Sequence, residues 1–151
     1  MKSIITAVCL TVTLLTGCAG VCKSNDYASA LRELKLLAVE GNADAQNNVG
    51  VIYRGGWGVT INNQVAVKWF KLAAEQGNRP AQANLGFMYA NGMGISQDWI
   101  YAYMWSKVSA SNGFIAAKDN VKIYSKNLTA RQLSLAERLI TTCALKKFIN
   151  C

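Results

Sequence analysis

The sequence predicts an all-α fold, a stack of repeated helix pairs closed by a C-terminal helix. Three observations carry this. The chain aligns with itself when shifted by 36 residues. Each period holds two runs with apolar residues at helical spacing. Glycines and short polar residues stand where such helices begin and end.

The elements follow in chain order. Residues 1–17, MKSIITAVCLTVTLLTG, read as a secretory signal: one lysine, an apolar run too short to span a bilayer comfortably, then small residues. Residues 18–25 form a linker. The repeats occupy 26–127, and a capping helix with its tail occupies 128–151. AQNNVGVIYRGGWGV (45–59) and AQANLGFMYANGMGI (from 81) are close copies. In the shared register Ala45, Gln46, Asn48, Gly50 and Tyr53 meet Ala81, Gln82, Asn84, Gly86 and Tyr89. Ala66, Trp69, Ala74 and Gly77 meet Ala102, Trp105, Ala110 and Gly113.

The first helix of a unit runs over 45–54 and stops at glycines. The second runs over 63–76, with Ala66, Trp69, Phe70, Ala73 and Ala74 on one stripe and Lys71–Glu75 as an i,i+4 pair. Asp26, Asn62 and Asp98 take the N-cap position of such helices. Gly41, Gly77 and Gly113 take the left-handed position after them, and Pro80 fits a first turn. Thr129-Ala-Arg-Gln132 reads as a capping box. The helix after it is expected to turn Leu133, Leu135, Ala136, Leu139, Ile140 and Cys143 inward and to cover the end of the stack.

This pattern resembles the Sel1-like repeat family, related to tetratricopeptide repeats. The residues that carry the resemblance are Ala-Gln-x-Asn-hydrophobic-Gly-x-x-Tyr, Gly-x-Gly-hydrophobic, Ala-x-x-Trp and Ala-Ala-x-x-Gly. It covers about 26–125, and it implies an α/α solenoid acting through protein–protein contact. The third unit departs from the pattern: Lys118 replaces the Gln, Lys122 the Gly, and Ser125 the Tyr. The end of the signal, Leu15-Thr16-Gly17-Cys18, resembles the lipobox of bacterial lipoproteins. That resemblance implies lipid attachment at Cys18, with Ala19 favouring the outer membrane over the inner. The rival reading is ordinary cleavage near Gly20, with Cys18 lost.

Composition narrows the chemistry. The 151 residues are 52% apolar and 16% charged, which suits one domain with a core. No histidine is present, which removes the commonest general base and metal ligand. Lys and Arg outnumber Asp and Glu by 16 to 8, and loss of Lys2 with the signal leaves 15 to 8. For an exported chain this charge points to anionic lipid, glycan or acidic protein rather than nucleic acid.

The Gly-x-Gly pairs at 56–58 and 92–94 are turns between helices, not a nucleotide fingerprint. The third glycine is missing, with Ile61 and Gln97 in its place, and no strand precedes. The carboxylates are scattered, and no spacing marks a catalytic pair. No enzyme activity, cofactor or metal is expected. The cysteines suit an oxidising compartment. Cys143–Cys151 is the first disulfide candidate, with Cys22–Cys143 as its rival.

The positions that change between units form stripes on the first helices: Asn47, Val51 and Arg54; Ala83, Phe87 and Ala90; Asp119, Ile123 and Lys126. In related solenoids such helices line a concave groove. The candidate partner site is therefore Asn47, Val51, Arg54, Ala83, Phe87, Ala90, Ile123 and Lys126. Lys118, Lys122 and Lys126 add a basic row. The function expected is a lipid-anchored periplasmic adaptor that binds another protein. The alternatives are an immunity protein that neutralises a secreted toxin and, third, a cell-wall or β-lactam hydrolase.

Overall fold

The computed structural model describes residues 24–145 and 148. Residues 1–17, where a signal is expected, and Cys18, Cys22 and Cys151 lie outside the described residues. Among the described residues seven helices follow one another: α1 (Ser24–Val39), α2 (Ala43–Gly55), α3 (Asn63–Glu75), α4 (Arg79–Asn91), α5 (Trp99–Ser111), α6 (Ala117–Ser125) and α7 (Ala130–Leu145). Helices α2–α3 and α4–α5 are the two regular units, and each helix from α1 to α6 packs on its neighbour in sequence. The architecture is the expected α/α solenoid.

Caps fix the helix ends. Asn62 Oδ1 accepts from Val65 N–H, and Asp98 Oδ1 accepts from Ile100 and Tyr101 N–H. Asn42 and Asn78, which the sequence reading passed over, cap α2 and α4 in the same way. Asp26 is not a cap in this structure, because α1 already runs from Ser24 and Asp26 lies in its first turn. Gly41, Gly77 and Gly113 have φ of +99°, +85° and +94°, the left-handed turn expected after each helix.

The Gly-x-Gly turns have two separate uses. Gly56 and Gly92 are left-handed C-caps whose N–H groups close the last turns of α2 and α4. Gly94 is needed for room as well, since a Cβ there would run into the Asn63 carbonyl. The turn of the second unit thus rests on the start of α3 in the first.

Within each unit the two helices cross at a glycine. A Cβ on Gly50 would meet the Phe70 ring at 2.6 Å, and one on Gly86 would meet Ser106 Oγ at 2.6 Å and Ala102 O at 2.9 Å. Between units, one glutamine acts as a clip. Gln46 Nε2 donates to Ala38 O, eight residues back, at the end of α1, while Gln46 Oε1 accepts from Gln76 Nε2. Gln82 repeats both contacts with Ala74 O and Asn112 Nδ2. The glutamine of the repeat motif therefore joins three helix ends, as a second donor to a carbonyl that also accepts from the Gly41 or Gly77 N–H.

The core runs through the stack rather than within one pair. Phe70, Leu85, Met88, Met104 and Trp105, from α3, α4 and α5, are almost wholly buried in one cluster with Cys143 of α7. Trp69, Tyr53 and Tyr89 are partly buried against the clusters.

The third unit departs as its sequence does. Helix α7 lies against α5 and makes little contact with α6. Lys122, at the crossing position of Gly50 and Gly86, is exposed, and a long charged side chain there bars a close approach. The capping box is present: Gln132 N–H donates to Thr129 Oγ1 and Thr129 N–H donates to Gln132 Oε1. Ala136 and Cys143 are buried, and Leu133, Leu139 and Ile140 pack against the core. Leu135 is the exception to the expected inner face. It is exposed because the helix is gripped from one side only, by α5.

Candidate partner-binding face

The site is set by the first helices of the units, α2, α4 and α6. Their variable stripes are not equally open to solvent. Asn47, Val51, Ala83 and Ala90 are buried and serve packing between neighbouring helices. Arg54 is half-buried, while Phe87, Ile123 and Lys126 are exposed. The surface a partner can reach thus narrows to Arg54, Phe87, Ile123 and Lys126. Periodicity alone could not show this, because it fixes which residues share a stripe and not which neighbour covers it.

Arg54 sits at the junction of the two regular units. Its Nη1 donates to Asn84 Oδ1 at 3.1 Å. Asn84 Nδ2 in turn donates to Asn47 Oδ1 at 2.9 Å, which turns the Asn84 acceptor toward the arginine. The Arg54 Cζ lies 5.8 Å from the Phe70 ring centre and 5.6 Å from that of Phe87. Burial pushes the guanidinium below its usual pKa. Phe70 and Asn84 were absent from the sequence reading of the site. Asn84 is identical to Asn48 in the repeat and so read as stack hardware. Phe70 is matched by Ser106, a difference that could have marked it.

The basic row divides. Lys118 and Lys122, with Lys107 of α5, rim a hollow of about 340 Å³ floored by Ala110 and Val121. Lys122 also pairs with Asp119 at 3.8 Å on the open surface. Lys126 lies one residue past α6 and does not line the hollow. Among the described residues, no group of His, Cys, Asp and Glu is placed to hold a metal, and no helix is long and apolar enough to cross a membrane.

On the capping helix α7, Cys143 is disulfide-bonded. Phe148 has a φ of +62°, and its N–H donates to Cys143 O at 2.7 Å, so the chain turns back over the end of α7.

Stacked helix pairs joined by clips, with variable positions gathered on the first helices, define an α/α repeat solenoid. More narrowly, the chain carries two Sel1 repeats: the Sel1 repeat model matches residues 43–78 and 79–114, the units α2–α3 and α4–α5. The chain is similar to the crystal structure of c5321, a protective antigen of uropathogenic Escherichia coli with an SLR fold. The two are 31% identical with a TM-score of 0.79, over 85% of this chain and 28% of that one. It is also similar to a Sel1 repeat protein from Oxalobacter formigenes, 30% identical with a TM-score of 0.60, over 63% of this chain and 39% of that one. The chain thus spans well under half the length of either. No curated protein matches it.

Proposed function

We propose that the protein is a non-enzymatic interaction module, an adaptor of the bacterial envelope that holds another protein against its first helices. The observation that carries this reading is Phe87, an exposed aromatic ring at a variable position beside the half-buried Arg54. Aromatic and arginine side chains that meet at one surface are the usual energetic centre of a protein interface. Ile123, more than half exposed on α6, extends the apolar area.

In this reading Cys18 carries the lipid that anchors the chain, preferentially at the outer membrane. A segment of the length of residues 19–23 can reach at most about 18 Å, so the solenoid would sit close to the bilayer. Cys143 pairs with Cys151, a choice supported by the turn at Phe148. Such a bond would brace the end of the stack in an oxidising compartment.

The experiment is affinity capture with the anchored protein, comparing wild type with Phe87→Asp and Arg54→Glu. A partner identified by mass spectrometry should be lost or much weakened in both variants. Full retention of that partner by both would place the contact elsewhere. A captured secreted toxin, with its activity suppressed, would make the module an inhibitor rather than an adaptor. Turnover of a wall substrate or a β-lactam by the purified protein would overturn the non-enzymatic reading. Separately, Cys18→Ser should release the protein from membranes; a variant that stayed anchored would sink the lipid assignment.

A further inference from the structure

A guanidinium carries five N–H donors in a planar fork. Arg54 uses one of them, toward Asn84, and makes no ion pair with a carboxylate among the described residues. This is unlike Lys71 and Lys122, which pair with Glu75 and Asp119 on their own helices. The fork is nonetheless held in place. Phe70 beneath it is fully buried, and Asn84 is itself fixed by Asn47. Burial disfavours the charge, and the only hydrogen-bond acceptor the described chain offers it is a neutral amide oxygen. A partly desolvated, pre-oriented guanidinium with free donors is the arrangement that binds a carboxylate through two parallel hydrogen bonds. Phosphate would satisfy the same donors. The adjoining surface favours protein, since the exposed Phe87 ring offers an aromatic face to an apolar neighbour of the bound group. Overall charge favours an acidic partner, with 16 basic against 8 acidic side chains. The exposed Lys126 holds the register of Arg54 two units on.

Building on the interaction-module reading, we infer that Arg54 is the receptor for an aspartate or glutamate side chain in an acidic segment of the partner protein, with an apolar residue of that segment seated on Phe87. Selectivity then lies in the fork and not in charge alone. Lysine at 54 keeps the charge and loses the second hydrogen bond.

The test is titration of the mature full-length protein with acetyl-Leu-Ala-Glu-Ala-Leu-amide and with its Gln counterpart, following the Arg54 side-chain Nε–Hε NMR signal. The Glu peptide should shift that signal, and the Gln peptide should bind at least ~10-fold more weakly, the loss of a charge-assisted pair. Read from the backbone amide shifts of Asn84 and Phe87, Arg54→Lys should weaken the Glu peptide by roughly 10-fold and Arg54→Gln should abolish its effect, with melting temperature confirming that both variants fold. The inference is overturned by an equal response to the Gln peptide, by no Arg54 shift up to millimolar Glu peptide, or by unweakened binding to Arg54→Lys. A signal that moves with phosphatidylglycerol vesicles and not with the peptide also overturns it, in favour of a lipid headgroup. If a captured partner is lost with Phe87→Asp but retained by Arg54→Lys, the carboxylate inference fails while the interaction module stands.

Discussion

Replacing Gly86 by alanine tests the close crossing of α4 and α5 most directly. The new Cβ would lie 2.6 Å from Ser106 Oγ, 2.9 Å from Ala102 O and 3.3 Å from Ser106 N. Two of the three atoms are backbone, so no side-chain rotation relieves the contact, and the helices must part by several tenths of an ångström. The surroundings, Leu85, Met88 and Trp105, are fully buried and would lose contact as they parted. Overpacking costs about 1–3 kcal/mol, and two contacts under 3.0 Å, one of them to a backbone oxygen, put this site at about 2–3 kcal/mol, while alanine over glycine in a helix returns about 1 kcal/mol. The expected net loss is about 1–2 kcal/mol, and a domain of this size should then melt roughly 3–8 °C lower. Thermal and urea unfolding followed by circular dichroism would measure it. Adding Ser106→Ala should recover part of the loss, since it removes the nearest contact and a buried hydroxyl that has no hydrogen-bond partner. A Gly86→Ala protein as stable as wild type, or more so, would refute the crossing argument. It would also remove the reason given for α7 avoiding α6 at Lys122.

Three further outcomes are expected. Gln82→Leu keeps the volume but strips the clip from Ala74 O and Asn112, and should lower stability by about 2 kcal/mol in urea unfolding. Thr129→Ala removes the capping box of α7 and should cost about 1 kcal/mol, seen as faster amide exchange in the first turn of that helix. Tyr103 O–H donates to Glu137 Oε1 at 2.6 Å, and burial, then this bond and its charge, hold the phenol well above its ordinary pKa. A raised phenol contributes stability that is fully present below the unfolded value, about 10, and lost as pH rises above it. Wild type should therefore lose more stability above that pH than Tyr103→Phe does, and an identical decline in both would contradict the assignment.

The fold was legible because a repeat states each rule twice. Asn62 and Asp98, Gly77 and Gly113, and the Thr129–Gln132 box each carry a local signal that needs no tertiary knowledge. What escaped depends on which surface covers which. Asn47 and Ala83 share stripes with Arg54 and Phe87 respectively, yet the first pair is buried and the second reachable. Gln46 and Gln82 were visible as repeated letters, but their task spans eight residues back and 30 residues ahead, across three helix ends. No periodicity shows such a link. Leu135 failed for a related reason: an apolar stripe does not say how wide the contact will be.

The glutamine clip has a consequence for how such a chain can lengthen. Both of its contacts are written in the 36-residue register, so a duplicated unit inserted between 78 and 79 would arrive with matching fastenings at both ends. In the third unit Lys118 holds the glutamine position; it can donate to the preceding carbonyl but has no oxygen to receive an amide from the helix that follows. The chain is thus extensible by whole units ahead of that lysine, and the fastening ends with it. Variation in the number of units among related chains should cluster upstream of that lysine.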